Sequence, residues 1–233
     1  MLAQLTHIWI LACIMYVLTS GFRIFLKLRG TADFSYLALV IFVSYSVAIL
    51  LERGFHLASA FSISLLLLMS FCFMLMRIIT RLRGIYFNIG TFALYILMSY
   101  VAGNLEITHG SFGMPVASIF QGNSSLTLIV YTLIIGLVMV GMNYFRASLL
   151  YTMLAGWGEF RTATKTLGMK EVFPVLCLIT ITTCMALLGG TMYIEYYSYL
   201  SSSTFWIGFL VTLMATTYAS YIFGEFMTFV VTF

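Results

Sequence analysis

Apolar residues along the chain fall in long runs, and the charged residues are confined to short clusters between them. Reading each run between its bounding charges places spans at 6–21, 36–51, 55–76, 85–102, 126–144 and 172–194. A last stretch at 205–233 is interrupted by Gly224 and Glu225, and it reads either as one tilted helix or as a helix followed by a partial re-entrant piece. Runs of about 20 residues match a hydrocarbon core about 30 Å thick at a rise of about 1.5 Å per helical residue. A transmembrane β-barrel would instead alternate polar and apolar residues over segments of about ten, and the unbroken runs lack that pattern. The pattern predicts an all-α polytopic membrane protein of about seven membrane-associated helical spans, forming one transmembrane domain over residues 1–233.

Composition agrees. Of 233 residues, 62% are hydrophobic and 8% charged, and mean hydropathy is +1.08. A soluble domain carries about 25% charged residues, so this chain could not cover a water-facing surface. The first apolar run lacks the basic start and small-residue cleavage site of a removable signal and is expected to stay as a helix. The basic residues form no dense patch, which argues against nucleic acid as a partner. Cys13, Cys72, Cys177 and Cys184 all lie inside apolar runs without metal-ligand spacing and read as small buried hydrophobes.

Placement of charge sets the expected orientation, because short cytoplasmic loops collect Lys and Arg. If the loop of Arg77, Arg81 and Arg83 is inside, then Arg23, Lys27, Arg29, Arg146, Arg161, Lys165 and Lys170 are inside too. Of the 11 basic residues only Arg53 is left outside. The N-terminus is then outside, 104–125 is an external loop without Lys or Arg, and 145–171 is a cytoplasmic connection. Within that connection Leu149, Leu150, Met153, Leu154, Trp157 and Phe160 recur at steps of three and four, the spacing of a helix lying across the inner surface. Gly168 is expected to end it.

No enzyme motif is present. The chain has no phosphate-binding Gly-x4-Gly-Lys-Ser/Thr loop, no His-Glu-x-x-His pair and no Gly-x-Ser-x-Gly elbow, and it calls for no cofactor or metal. His7, His56 and His109 lie far apart in sequence at or near external span ends. Among the acidic residues, Asp33, Glu52 and Glu195 fall at span ends and read as interfacial. Glu225 alone falls within a span, too few buried charges for an ion relay.

Several segments together resemble a known family. Thr162-Ala163-Thr164-Lys165-Thr166-Leu167-Gly168 is similar to the Glu-Ala-Ala-x-x-x-Gly cytoplasmic loop of ABC importer permeases, with Thr in place of Glu. Arg81-Leu82-Arg83-Gly84-Ile85-Tyr86-Phe87 resembles the Arg-Leu-Arg-Gly-x-Tyr start of a helix in the branched-chain amino-acid ABC transporter permeases. Thr108-His109-Gly110-Ser111-Phe112-Gly113 resembles that family's Thr-Gly-Gly-Ser-Asn-Gly external loop. The apolar span ending Leu187-Leu188-Gly189-Gly190 continues the same order, so the resemblance runs from about residue 30 to the C-terminus, closest to the second of the family's two permease types, in a diverged and shortened form. The family's Ser-Leu-Gly-His segment corresponds here to Asp33-Phe34-Ser35-Tyr36.

The resemblance implies a permease subunit of an ABC importer in the plasma (bacterial inner) membrane, moving amino acids, branched-chain ones among them, or similar small polar solutes. Separate ATPase subunits would supply the work, so the chain itself would not be an enzyme. The implied coupling residues are Trp157, Glu159, Phe160, Arg161, Lys165 and Gly168. Solute would pass between this chain and a second permease subunit, identical or different. Polar residues in apolar spans are the pathway candidates: Ser44, Asn88, Thr91 and Thr183, with Ser46, Thr180 and Thr182 beside them. His109, Gly110, Ser111 and Gly113 would meet an external substrate-binding protein. Alternative expectations are a permease-derived scaffold that no longer transports, and an ion-coupled carrier.

Overall fold

The computed structural model describes residues 2–29, 33–82, 84–116, 124–159 and 172–223. Eight α-helices lie among them: α1 (Leu2–Arg29), α2 (Ser35–Glu52), α3 (Leu57–Arg81), α4 (Ile85–Asn104), α5 (Ser124–Ala147), α6 (Leu149–Glu159), α7 (Val172–Tyr197) and α8 (Ile207–Phe223). Six of them, α1 to α5 and α7, are long and apolar enough to cross a membrane. This is a polytopic, all-α membrane protein. The seventh apolar run folds differently from its neighbours: Ser202–Phe205 forms a 3₁₀ turn, and α8 follows as a shorter apolar helix of 17 residues.

The core is built around α7, against which α1 and α2 both pack, while α3 and α4 pack on α2, and α5, α6 and α8 on α1. Helix α2 is buried on nearly all sides, from Tyr36 through Ala48. Small residues permit this density. A Cβ placed on Gly189 of α7 would come within 2.4 Å of Leu18 Cδ2 of α1, and one on Gly190 within 2.8 Å of Val43 Cγ1 of α2. The helices therefore approach at distances only glycine allows, as is common where lipid gives no hydrophobic drive to association.

Short two-residue strands β1 (Met114–Pro115) and β2 (Tyr199–Leu200) pair antiparallel, Met114 with Leu200 and Pro115 with Tyr199. Gly113 makes the bridge possible: its φ is +70°, and a Cβ there would lie 2.6 Å from the Leu200 carbonyl oxygen. The bridge joins the connection after α4 to the connection after α7, so both lie at one end of the bundle. Helices α5 and α7, about 36 and 39 Å long at 1.5 Å per residue, carry the chain away from that end and back. Helix α6 and the α5–α6 corner therefore lie at the opposite end. Ser148 forms this corner: its hydroxyl donates to the Phe145 carbonyl at 2.5 Å and accepts the Tyr151 N–H at 3.3 Å, the role of a helix N-cap.

Candidate functional site

At the paired-loop end, tyrosine hydroxyls tie loops to helices. Tyr95 of α4 donates to the Phe205 carbonyl at 2.5 Å, Tyr131 of α5 donates to the Met192 carbonyl at 2.7 Å, and Tyr199 donates to the Phe112 carbonyl. His7 of α1 hydrogen-bonds Tyr196 of α7. His109 sits in the left-handed region at φ +56°, between the 3₁₀ turns Glu106–Thr108 and Gly110–Phe112, and its Nε2 lies 2.9 Å from Glu52 Oε1 at the end of α2. Both partners are substantially exposed, 48% and 39%, so the pair positions the loop more than it stabilises the fold.

Two adjoining cavities open here. The first, of about 470 Å³, lies between α4 and the start of α8, with Tyr95, Ile96, Tyr100, Trp206 and Ile207 as apolar walls. Ser99, Asn104, Ser202 and Ser203 supply uncharged polar groups. The second, of about 630 Å³, is a wide shallow surface over Glu106, His109, Gly110 and Phe112. Gly103 and Asn104 belong to both.

A smaller polar site lies at the opposite end of the core. Asp33, 1% exposed, accepts the Ser35 N–H at 2.9 Å and the Ser35 hydroxyl at 2.5 Å, placing a carboxylate at the start of α2 where the helix dipole favours it. With Tyr36, Cys72 and Thr182 it borders a cavity of about 10 Å³, the size of one water. Asp33 and Glu195, expected at span ends, are both buried within the protein: α2, α3 and α7 converge over the first, and the end of α7 packs inside the bundle around the second.

The pathway candidates do not share one site. Ser44 lies on α2 against Gly190, which a Cβ would bring within 2.9 Å of the Ser44 hydroxyl. Thr183 on α7 is 3.1 Å from Cys72 Sγ of α3. Thr91 donates to the carbonyl of Phe87 on its own helix, as Ser46, Thr180 and Thr182 do to the carbonyls four residues back. Asn88 is half-buried, and its Oδ1, like the Ser44 hydroxyl, lacks a hydrogen-bond partner among the described residues. None of the four lines the three cavities above.

Of the external-loop candidates, His109, Gly110, Ser111 and Gly113 fall together on the turns facing the second cavity or beside it. Of the coupling candidates, Trp157 and Glu159 belong to the last turn of α6, while Phe160, Arg161, Lys165 and Gly168 lie outside the described residues, as does Glu225. Sequence reading missed the Glu52–His109 pair and the Tyr95–Phe205 tie, whose partners are 57 and 110 residues apart with no local signal to connect them. Comparisons with protein-family models, curated proteins and solved structures give no match.

Proposed function

We propose that this chain is the membrane permease subunit of an ABC-type importer for amino acids or similarly small polar solutes. In this reading the paired-loop end faces outward with the N-terminus, and α6 with the segment after it faces the cytoplasm of a bacterial inner membrane. A second permease subunit completes the pathway, and ATPase subunits grip the 145–171 connection. A substrate-binding protein meets the turns around His109.

The observation that carries the proposal is the position of α6. It leaves α5 at the Ser148 corner, rests on α1, α5 and α7, and leads directly into the Thr162–Gly168 segment that resembles a coupling loop. It also stands at the end where α1, α3 and α5 carry Arg23, Lys27, Arg29, Arg77, Arg81 and Arg146, and positive-inside bias assigns such an end to the cytoplasm. A helix supported by three neighbours can pass a push at its tip into the core helices, which a loop resting on headgroups could not.

The test is purification of the tagged chain from its native membrane in mild detergent, with uptake measured after reconstitution. Co-purification of ATPase subunits and ATP-dependent uptake are expected. Replacing Gly168 with Asp, or deleting 159–165, is expected to weaken ATPase association about thirtyfold or more, the effect of losing one interface hot spot of about 2 kcal/mol, without loss of the folded membrane core. Unchanged association removes the coupling assignment. Partners without an ATPase point to a scaffold, and proton-driven uptake by the chain alone points to a carrier.

A further inference from the structure

The exposed apolar stripe of α4, formed by Ile85, Ile89, Ile96 and Tyr100, recurs at helical spacing and marks the face that meets lipid. Helix α8 has a matching stripe in Ile207, Val211 and Tyr218. The 470 Å³ cleft is where the two stripes converge, so it is open to the bilayer and not only to water. Its lining has no charged side chain. Its chemistry is graded: Ile96 lies near the middle of α4 and Ile207 opens the apolar face of α8, whereas Asn104, Ser202 and Ser203 lie at the loop end.

Through Gly103 and Asn104 the cleft continues into the surface over Glu106 and His109, whose lining contains a carboxylate and no Lys or Arg. An apolar trough leading past hydroxyl and amide groups, which can donate to ester and phosphate oxygens, to a carboxylate matches an amphiphile with an uncharged tail, an ester-containing middle and a headgroup that ends in an ammonium. A zwitterionic amino acid fits it poorly, since nothing in the apolar part could pair with a buried carboxylate.

We infer that this paired cleft is a binding site for a bilayer lipid with an ammonium headgroup. One acyl chain lies between α4 and α8, the glycerol region meets Asn104, Ser202 and Ser203, and the ammonium faces Glu106. The inference stands independently of the transport reading.

The full chain is reconstituted into vesicles of phosphatidylglycerol, which has no ammonium, containing a small fraction of a lipid with a photoactivatable acyl chain, carrying either an ethanolamine or a glycerol headgroup. Labelled peptides are then mapped. The expected result is labelling of Tyr95, Tyr100 and Trp206 several-fold above that of the α5 lipid face at Leu133 and Leu137. The ethanolamine probe is expected to exceed the glycerol probe by about two- to fivefold, the range of an exposed ion pair. Ser99→Trp, which fills the trough, is expected to lower cleft labelling while leaving α5 labelling unchanged. Should that variant fail to fold, Glu106→Gln serves on its own: it is expected to abolish the headgroup preference and to leave tail labelling intact. Equal labelling of the cleft and the α5 face would mean ordinary annular lipid and would overturn the site. Equal labelling by the two headgroups would overturn the ammonium assignment.

Discussion

At the residue scale, the glycines of α7 differ in kind from those of α5. Gly189 and Gly190 stand where α7 meets α1 and α2, and a Cβ on either would fall well inside contact distance of Leu18 or of Val43 and Ser44. Gly136 and Gly141 on α5 have open space around the same position. Gly190→Ala should therefore destabilise the protein by about 1–3 kcal/mol, the range for overpacking a filled interior. Gly136→Ala should be neutral or stabilise by up to about 1 kcal/mol through helix propensity. Reversible denaturation in mixed micelles distinguishes the two, and equal effects would show that the α1–α2–α7 contact is looser than described. In the sequence these four glycines look alike, because the distinction depends on which helix each one faces. The same limit hid the role of Tyr131. It reads as one more aromatic in a span, yet it donates to the Met192 carbonyl from a buried position. Tyr131→Phe should cost about 0.5–1.5 kcal/mol, measured in the same way.

Among the elements, α2 and α5 have similar apolar composition and opposite surroundings. Helix α2 is enclosed by α3, α4 and α7, whereas α5 exposes Leu126, Ile129, Leu133, Leu137, Val140 and Tyr144 along one face. Their steps of three and four residues describe a single stripe, which is the lipid face. Substituting Leu137→Phe should change stability by no more than about 0.5 kcal/mol. Val40→Phe, in the middle of α2, should cost about 1–3 kcal/mol because no neighbour can retreat. Comparable losses at both sites would mean that α5 is covered by a partner. Hydropathy located these helices to within a few residues, since crossing a membrane needs length and apolarity, both of which are local. It could not rank them from centre to edge, because lipid and protein interior select the same side chains. Burial of Asp33 and Glu195 was hidden for a related reason: a charge at the end of a run marks where the run stops, not what packs over it.

For the whole molecule, the decisive feature is that two distant connections meet. The pairing of Met114 with Leu200 fixes the turns after α4 and the turn after α7 at one end, and α5 and α7 then carry α6 to the other. The span count anticipates this sidedness only if every crossing is read correctly, and an error in one span would invert everything after it. The bridge tests it without counting. Single cysteines introduced at Phe112 and Ser203, in a background where the four native cysteines are replaced by Ala, should react with a membrane-impermeant maleimide from the same side of sealed vesicles. A cysteine at Leu149 should react only from the other side. Phe112 and Leu149 are 86% and 75% exposed, so access is not limited by packing. A cysteine pair at Met114 and Leu200 should also form a disulfide under mild oxidation, because antiparallel partners lie about 4.5–5.5 Å apart at Cα, within the span that a disulfide bridges. If the cysteines at Phe112 and Ser203 react from opposite sides, the bridge is wrong, one of the spans between them does not cross, and α6 loses the position that the coupling role requires. If all three react from one side, α6 lies at the loop end and the same conclusion follows. Only same-side labelling of the first two with opposite-side labelling of Leu149 leaves a bundle in which work applied at one end could open a path at the other.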